Sequence, residues 1–85
     1  MYYGRVYTNA FIRDLRRRYP EGTRIEVISM DDPYTSKLYY GDQGTVKYID
    51  GNANFYVDWD NGSTAILAYD DDVFCIVDWL SRIRK

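Results

Sequence analysis

The chain has 85 residues, 46% of them hydrophobic and 28% charged, with a formal net charge of −2. A chain of this length makes one small domain, with little apolar core to spare, and no stretch approaches the roughly 18 apolar residues of a membrane span or the apolar run of a signal peptide, so a soluble, cytoplasmic protein is expected. No histidine is present and Cys75 is the single cysteine, which excludes an internal disulfide and the common zinc ligand sets from one protomer, and no metal or other cofactor is expected.

In chain order, residues 1–7 form a tyrosine-rich segment that Gly4 interrupts. Thr8 or Asn9 then caps a helix over 9–19, in which Phe11, Ile12, Leu15 and Tyr19 recur at helical spacing and Arg13, Asp14, Arg16, Arg17 and Arg18 occupy the other sides. Pro20 ends it, because the residue before a proline is pushed out of the α region, and Glu21-Gly22 makes the turn. The first strand is expected over 23–30, where Ile25 and Val27 alternate with Arg24 and Glu26.

Residues 31–43 have no clear period, contain Pro33 and Gly41, and carry Tyr34, Tyr39 and Tyr40. They are expected to be a long loop, the kind of segment in which function concentrates. Further strands are expected over 45–50, 54–59 and 63–69, joined by turns at Asp50-Gly51-Asn52 and Asn61-Gly62. Asn-Gly is the strongest short hairpin signal, since both central residues of a type I′ turn need positive φ. Phe55, Val57 and Trp59 alternate with Asn54, Tyr56 and Asp58, which gives that strand one apolar and one polar face. A polar turn at 70–73, a fifth strand over 74–78 and a short C-terminal helical turn complete the chain.

The expected fold is therefore mainly β: a small five-stranded SH3-like barrel with an N-terminal amphipathic helix. Residues 1–20 are the N-terminal segment and basic helix packed on the barrel, and residues 21–85 are the barrel with a short basic tail.

The run Arg18-Tyr19-Pro20-Glu21-Gly22-Thr23-Arg24-Ile25-Glu26, then Met30-Asp31-Asp32-Pro33-Tyr34, Gly44-Thr45-Val46 and Val57-Asp58-Trp59-Asp60-Asn61-Gly62-Ser63, resembles a family of small uncharacterised domains of SH3-like-barrel type. Members occur in Gram-positive bacteria and in their phages and conjugative elements. The resemblance covers 18–76 and implies a fold and a mobile-element setting, but no chemistry. The chain departs from the family at Ser36-Lys37-Leu38-Tyr39-Tyr40, where members often carry proline.

An enzyme is not expected. Without histidine, acid–base chemistry falls to carboxylates, tyrosine, lysine or the one thiol. Cys75 lies in the apolar run Val-Phe-Cys-Ile-Val, which points to a buried structural thiol. Asp58-Trp59-Asp60-Asn61-Gly62 opens like a calcium loop, but its glycine falls one position early and the closing position is Tyr69 rather than Glu. The Asp70-Asp71-Asp72 run reads as an exposed acidic turn. Gly41-Asp42-Gln43-Gly44 lacks the lysine and the strand-to-helix setting of a phosphate-binding loop.

Binding is left, and charge divides the chain for it. Residues 1–24 carry six Arg against Asp14 and Glu21, a balance of +4; residues 25–78 carry −9, and residues 79–85 carry +3. The first expectation is a protein-binding surface made by Asp31, Asp32, Tyr34, Tyr39, Tyr40, Asp58 and Asp60, for a basic partner such as a host defence nuclease, an anti-CRISPR-like role. The alternative is a DNA- or RNA-binding patch of Arg13, Arg16, Arg17, Arg18, Arg82, Arg84 and Lys85. No membrane partner is expected. A homodimer is compatible with exposed barrel edges, Tyr2, Tyr3 and Trp79.

Overall fold

A computed structural model describes residues 7–77. Helix α1 (Asn9–Arg18) starts where Thr8, in an extended conformation, accepts the Phe11 N–H on its hydroxyl at 3.0 Å, which satisfies one of the unpaired first-turn donors. It stops at Tyr19, the residue before Pro20, and its last turn carries Arg16, Arg17 and Arg18, favourable charges at the negative end of a helix dipole. Ile12 and Leu15 are buried, while Phe11 and Tyr19 pack on the core's rim.

The strands are β1 (Arg24–Ser29), β2 (Gln43–Ile49), β3 (Asn54–Trp59), β4 (Ile66–Ala68) and β5 (Val73–Ile76), and a single helical turn, α2 (Pro33–Ser36), interrupts the β1–β2 connection. They form one antiparallel sheet in the order β4-β3-β2-β1-β5. The period-2 alternation gives the sheet an inner face of Ile25, Val27, Val46, Phe55, Val57, Trp59 and Leu67, which packs with Ile12, Leu15 and Leu38. Phe55 is the centre of an aromatic cluster, with Tyr19 at 5.1 Å and Phe74 at 5.0 Å between ring centroids. Gly44 is the inward residue beside Val57 and Trp59; a Cβ there would stand 2.6 Å from Val57 Cγ1 and 2.7 Å from Trp59 Cε3.

Several expectations change. The sheet is open where a closed barrel is expected: among the described residues β4 and β5 are its two edges and do not pair. The shortness of β4 explains this, since the strand expected over 63–69 holds only Ile66–Ala68. Its far end is taken up by the following turn, where Asp71 and Asp72 donate their N–H groups to the Ala68 carbonyl. The Asn61-Gly62 turn is not type I′ either, because only Gly62 has positive φ. Asn61 instead caps Ser63 N–H at 2.8 Å and donates its amide to the Lys37 carbonyl at 3.0 Å, a tertiary anchor that overrides the local hairpin preference.

Cys75 is exposed rather than buried: it stands opposite Glu26 on edge strand β5. The 31–43 segment is more ordered than a plain loop, because Asp32 caps α2 through Thr35 N–H at 3.2 Å and Pro33 occupies the first helical turn. The expected C-terminal helical turn, with Trp79, Arg82, Arg84 and Lys85, falls outside the described residues, as do Tyr2 and Tyr3. Among the described residues no helix is long and apolar enough to cross a membrane.

Candidate functional site

Among the described residues, a groove of about 610 Å³ lies between two segments distant in sequence. One wall is the chain from Met30 to Lys37, including α2; the other is the β3–β4 connection from Gly62, β4 itself, and Asp71 and Asp72. The walls are tied together at both ends. At one end Ser63 Oγ donates to the Ser36 carbonyl at 2.6 Å, beside the bond from Asn61 to Lys37. At the other, the Asp72 carboxylate accepts Asp31 N–H at 2.8 Å and Ala68 N–H at 2.9 Å.

Asp72 is 8% exposed, so this member of the Asp run is a structural acceptor and not part of a solvated turn. A buried carboxylate is tolerated here because both oxygens are hydrogen-bonded. Asp31, Asp32 and Asp71 remain exposed around it. The groove is thus acidic at the Asp72 end, lined with hydroxyls at Thr35, Ser36, Ser63 and Thr64, and apolar at Met30, Ala65, Ile66 and Ala68. Hydrogen bonds from Thr35 hold the Asp32 carboxyl below the ordinary carboxylate range. Among the described residues no group of three or more acidic or sulfur side chains is arranged to hold a metal ion.

The expected protein-binding residues fall into three places. Asp31 and Asp32 line the groove and Tyr34 stands on α2, 82% exposed. Tyr39 and Tyr40 follow in an exposed turn closed by Tyr39 N–H donating to Asp42 Oδ2 at 2.9 Å. Asp58 and Asp60 are at the far end of β3, on the outer face of the sheet. Asp60 is not a free charge: the Arg24 guanidinium grips both of its oxygens and also donates to Thr45 and Gln43. That fork holds the Asp60 carboxyl below its usual range and the Arg24 guanidinium above its own.

Position divides the tyrosines. Tyr7, Tyr19 and Tyr69 pack on the core, whereas Tyr34, Tyr39, Tyr40 and Tyr48 are exposed. Tyr48 stacks on Tyr56 across β2 and β3 at 4.3 Å, with Ile66 next in line on β4, an outer-face strip that reading the sequence missed. Its signal was available: the alternation that turns Phe55 and Val57 inward turns Tyr56 outward, and Tyr48 is its cross-strand partner.

The described arginines of the alternative patch all lie on α1, and three of them make contacts within the chain. Arg16 donates to the Ile49 carbonyl at 3.0 Å. Arg17 and Arg18 pair with Asp14 one turn back, and Arg18 also lies 5.7 Å over the Tyr19 ring. A hydrogen bond with Tyr69 raises the Arg18 pKa. Arg13 is exposed and lines a shallow depression with Arg16 and Gly51.

No curated protein and no solved structure matches the chain. A family model described as Domain of unknown function (DUF4314) matches residues 8–77, from the N-cap of α1 to the residue after β5, so the chain belongs to that family.

Proposed function

We propose that this chain is a non-catalytic protein-binding module whose working surface is the acidic groove and the exposed tyrosines beside it. One observation carries the reading: Asp31, Asp32 and Asp71 stand exposed around a groove held open by hydrogen bonds at both ends. A concave surface with acidic charge and exposed aromatic rings suits a specific, polar contact with a basic partner. An SH3-like descent of the open sheet and a cytoplasmic, mobile-element setting belong to the same reading. In its sharper form the partner is a host defence nuclease, which the chain inhibits by occupying a basic nucleic-acid channel; the −9 balance of residues 25–78 supports that form. The intramolecular contacts of Arg16, Arg17 and Arg18 favour a protein over DNA or RNA as the partner.

The test is affinity purification of the tagged chain from its natural host, with and without nuclease treatment. A stoichiometric basic protein that survives nuclease, and is lost from a variant carrying Asp31→Asn, Asp32→Asn and Asp71→Asn, is the expected result. Nucleic acid retained without such a protein overturns the reading.

A further inference from the structure

One end of the groove is fastened by the side-chain amide that this chain is chemically readiest to lose. Of Asn9, Asn52, Asn54 and Asn61, only Asn61 precedes a glycine. With no Cβ on the following residue, no side chain obstructs its backbone nitrogen as it approaches the asparagine side-chain carbon. In the folded chain both reacting groups are engaged elsewhere. Asn61 Nδ2 donates to the Lys37 carbonyl at 3.0 Å and to Asp42 Oδ2 at 3.4 Å, and Asn61 Oδ1 accepts Ser63 N–H at 2.8 Å. Gly62 N–H donates to the Trp59 carbonyl at 3.0 Å. Reaction therefore requires the Asn61 side chain to leave the 31–37 wall.

We infer that Asn61 is a site of spontaneous deamidation, guarded by its bond to Lys37 and released when that wall lifts. The Gly62 nitrogen gives its proton to solvent and bonds to Asn61 Cγ; the Cγ–Nδ2 bond breaks and the amide leaves as ammonia. Water then opens the succinimide at either carbonyl. The sum is water taken up, ammonia released, and aspartate or isoaspartate at position 61. Neither product restores the tie. A carboxylate oxygen replaces the donor that faced the Lys37 carbonyl and Asp42, both acceptors, and the two carboxylates repel. Isoaspartate also lengthens the backbone between residues 61 and 62 by a methylene. The bond from Ser63 to the Ser36 carbonyl is left at that end. Openings of the wall thus become permanent with age, whatever the groove binds.

The experiment is incubation of the full chain at physiological temperature and pH, in native buffer and over a series of urea concentrations, with peptide mapping by mass spectrometry. In denaturing urea Asn61 is expected to convert first; earlier conversion of Asn9, Asn52 or Asn54 overturns the choice of site. Native buffer is expected to slow Asn61 by about tenfold or more, since several hydrogen bonds must open before it reacts. Below the unfolding transition the rate should stay nearly flat with urea, the mark of a local opening that exposes little surface. A native rate equal to the unfolded one overturns the guard, and a rate that climbs with the slope of global unfolding overturns the role of the wall.

The consequence is read by limited trypsin digestion. Leu38 is buried, so cleavage after Lys37 requires the wall to lift. Asn61→Asp is expected to be cut there several-fold faster than the unaltered chain, with Asn61→Ala, which loses the tie without gaining a charge, between them. The aged, deamidated fraction, separated from unreacted chain by ion exchange, gives the same readout without a substitution. Cleavage of that fraction no faster than the fresh chain overturns the loss of the tie.

Discussion

Asp72 holds Asp31: a carboxylate oxygen on the turn before β5 accepts the backbone N–H at the start of the long connection, at 2.8 Å. The same side chain closes the end of β4 through Ala68 N–H. Replacing Asp72 with alanine leaves two part-buried donors without their acceptor, which costs on the order of 1–3 kcal/mol. Urea unfolding should show that loss as a lower midpoint with little change in slope. Asp71→Asn, at an exposed neighbour, should move the midpoint far less.

Gly44 is expected to tolerate no side chain. The added methyl of Gly44→Ala meets Val57, Trp59 and, at 3.0 Å, the backbone carbonyl of Asp58, so adjustment of side chains alone does not make room. A loss of about 1–3 kcal/mol or more is expected in thermal unfolding. Combining it with Val57→Ala should recover only part of the loss, because the Trp59 and backbone contacts persist.

The Arg24–Asp60 fork sets a pH dependence. Asp60 has a folded pKa below its unfolded one, so its stabilising contribution is complete above the ordinary carboxylate pKa of about 4 and is lost as pH falls through the depressed folded value. In a carboxyl-detected NMR titration, Arg24→Gln should return Asp60 towards its ordinary range and remove this component of acid sensitivity. An unchanged Asp60 titration would show that the fork does not hold in solution.

Cys75 should react with a thiol reagent in the native state, because it is exposed. Partial desolvation by its neighbours and the nearby Glu26 charge both push its pKa up, so the reaction should be slow at neutral pH and accelerate into the alkaline range. Glu26→Gln is expected to speed it at fixed pH. Labelling that occurs only under denaturing conditions would contradict the exposed position.

The parts of the fold governed by local chemistry were legible in the sequence. Thr8 and Pro20 bracket α1 as expected, and the alternation from Asn54 to Trp59 gives both the bounds and the facing of β3. What could not be read depends on residues far apart. Asn61-Gly62 loses its hairpin geometry because the Asn61 amide is bonded to residue 37, and Asp72 is buried because its partner donor is Asp31. The charges and tyrosines of 31–40 could be seen in the sequence. The groove could not, since its second wall comes from residues 62–72.

Because residues 31–37 are fastened to Asn61, Ser63 and Asp72, they have no anchor until the strands after them are in place. This connection is therefore expected to settle last during folding, after loop closure across the β2–β3–β4 meander, and to open first in the native protein. Hydrogen exchange should find the Asp31 amide, shielded only by the Asp72 carboxylate, exchanging well before the amides of β2 and β3. On the protein-binding reading, the proposed contact falls on the part of the domain that opens first, and a partner that grips the groove would slow exchange there while leaving the sheet unchanged.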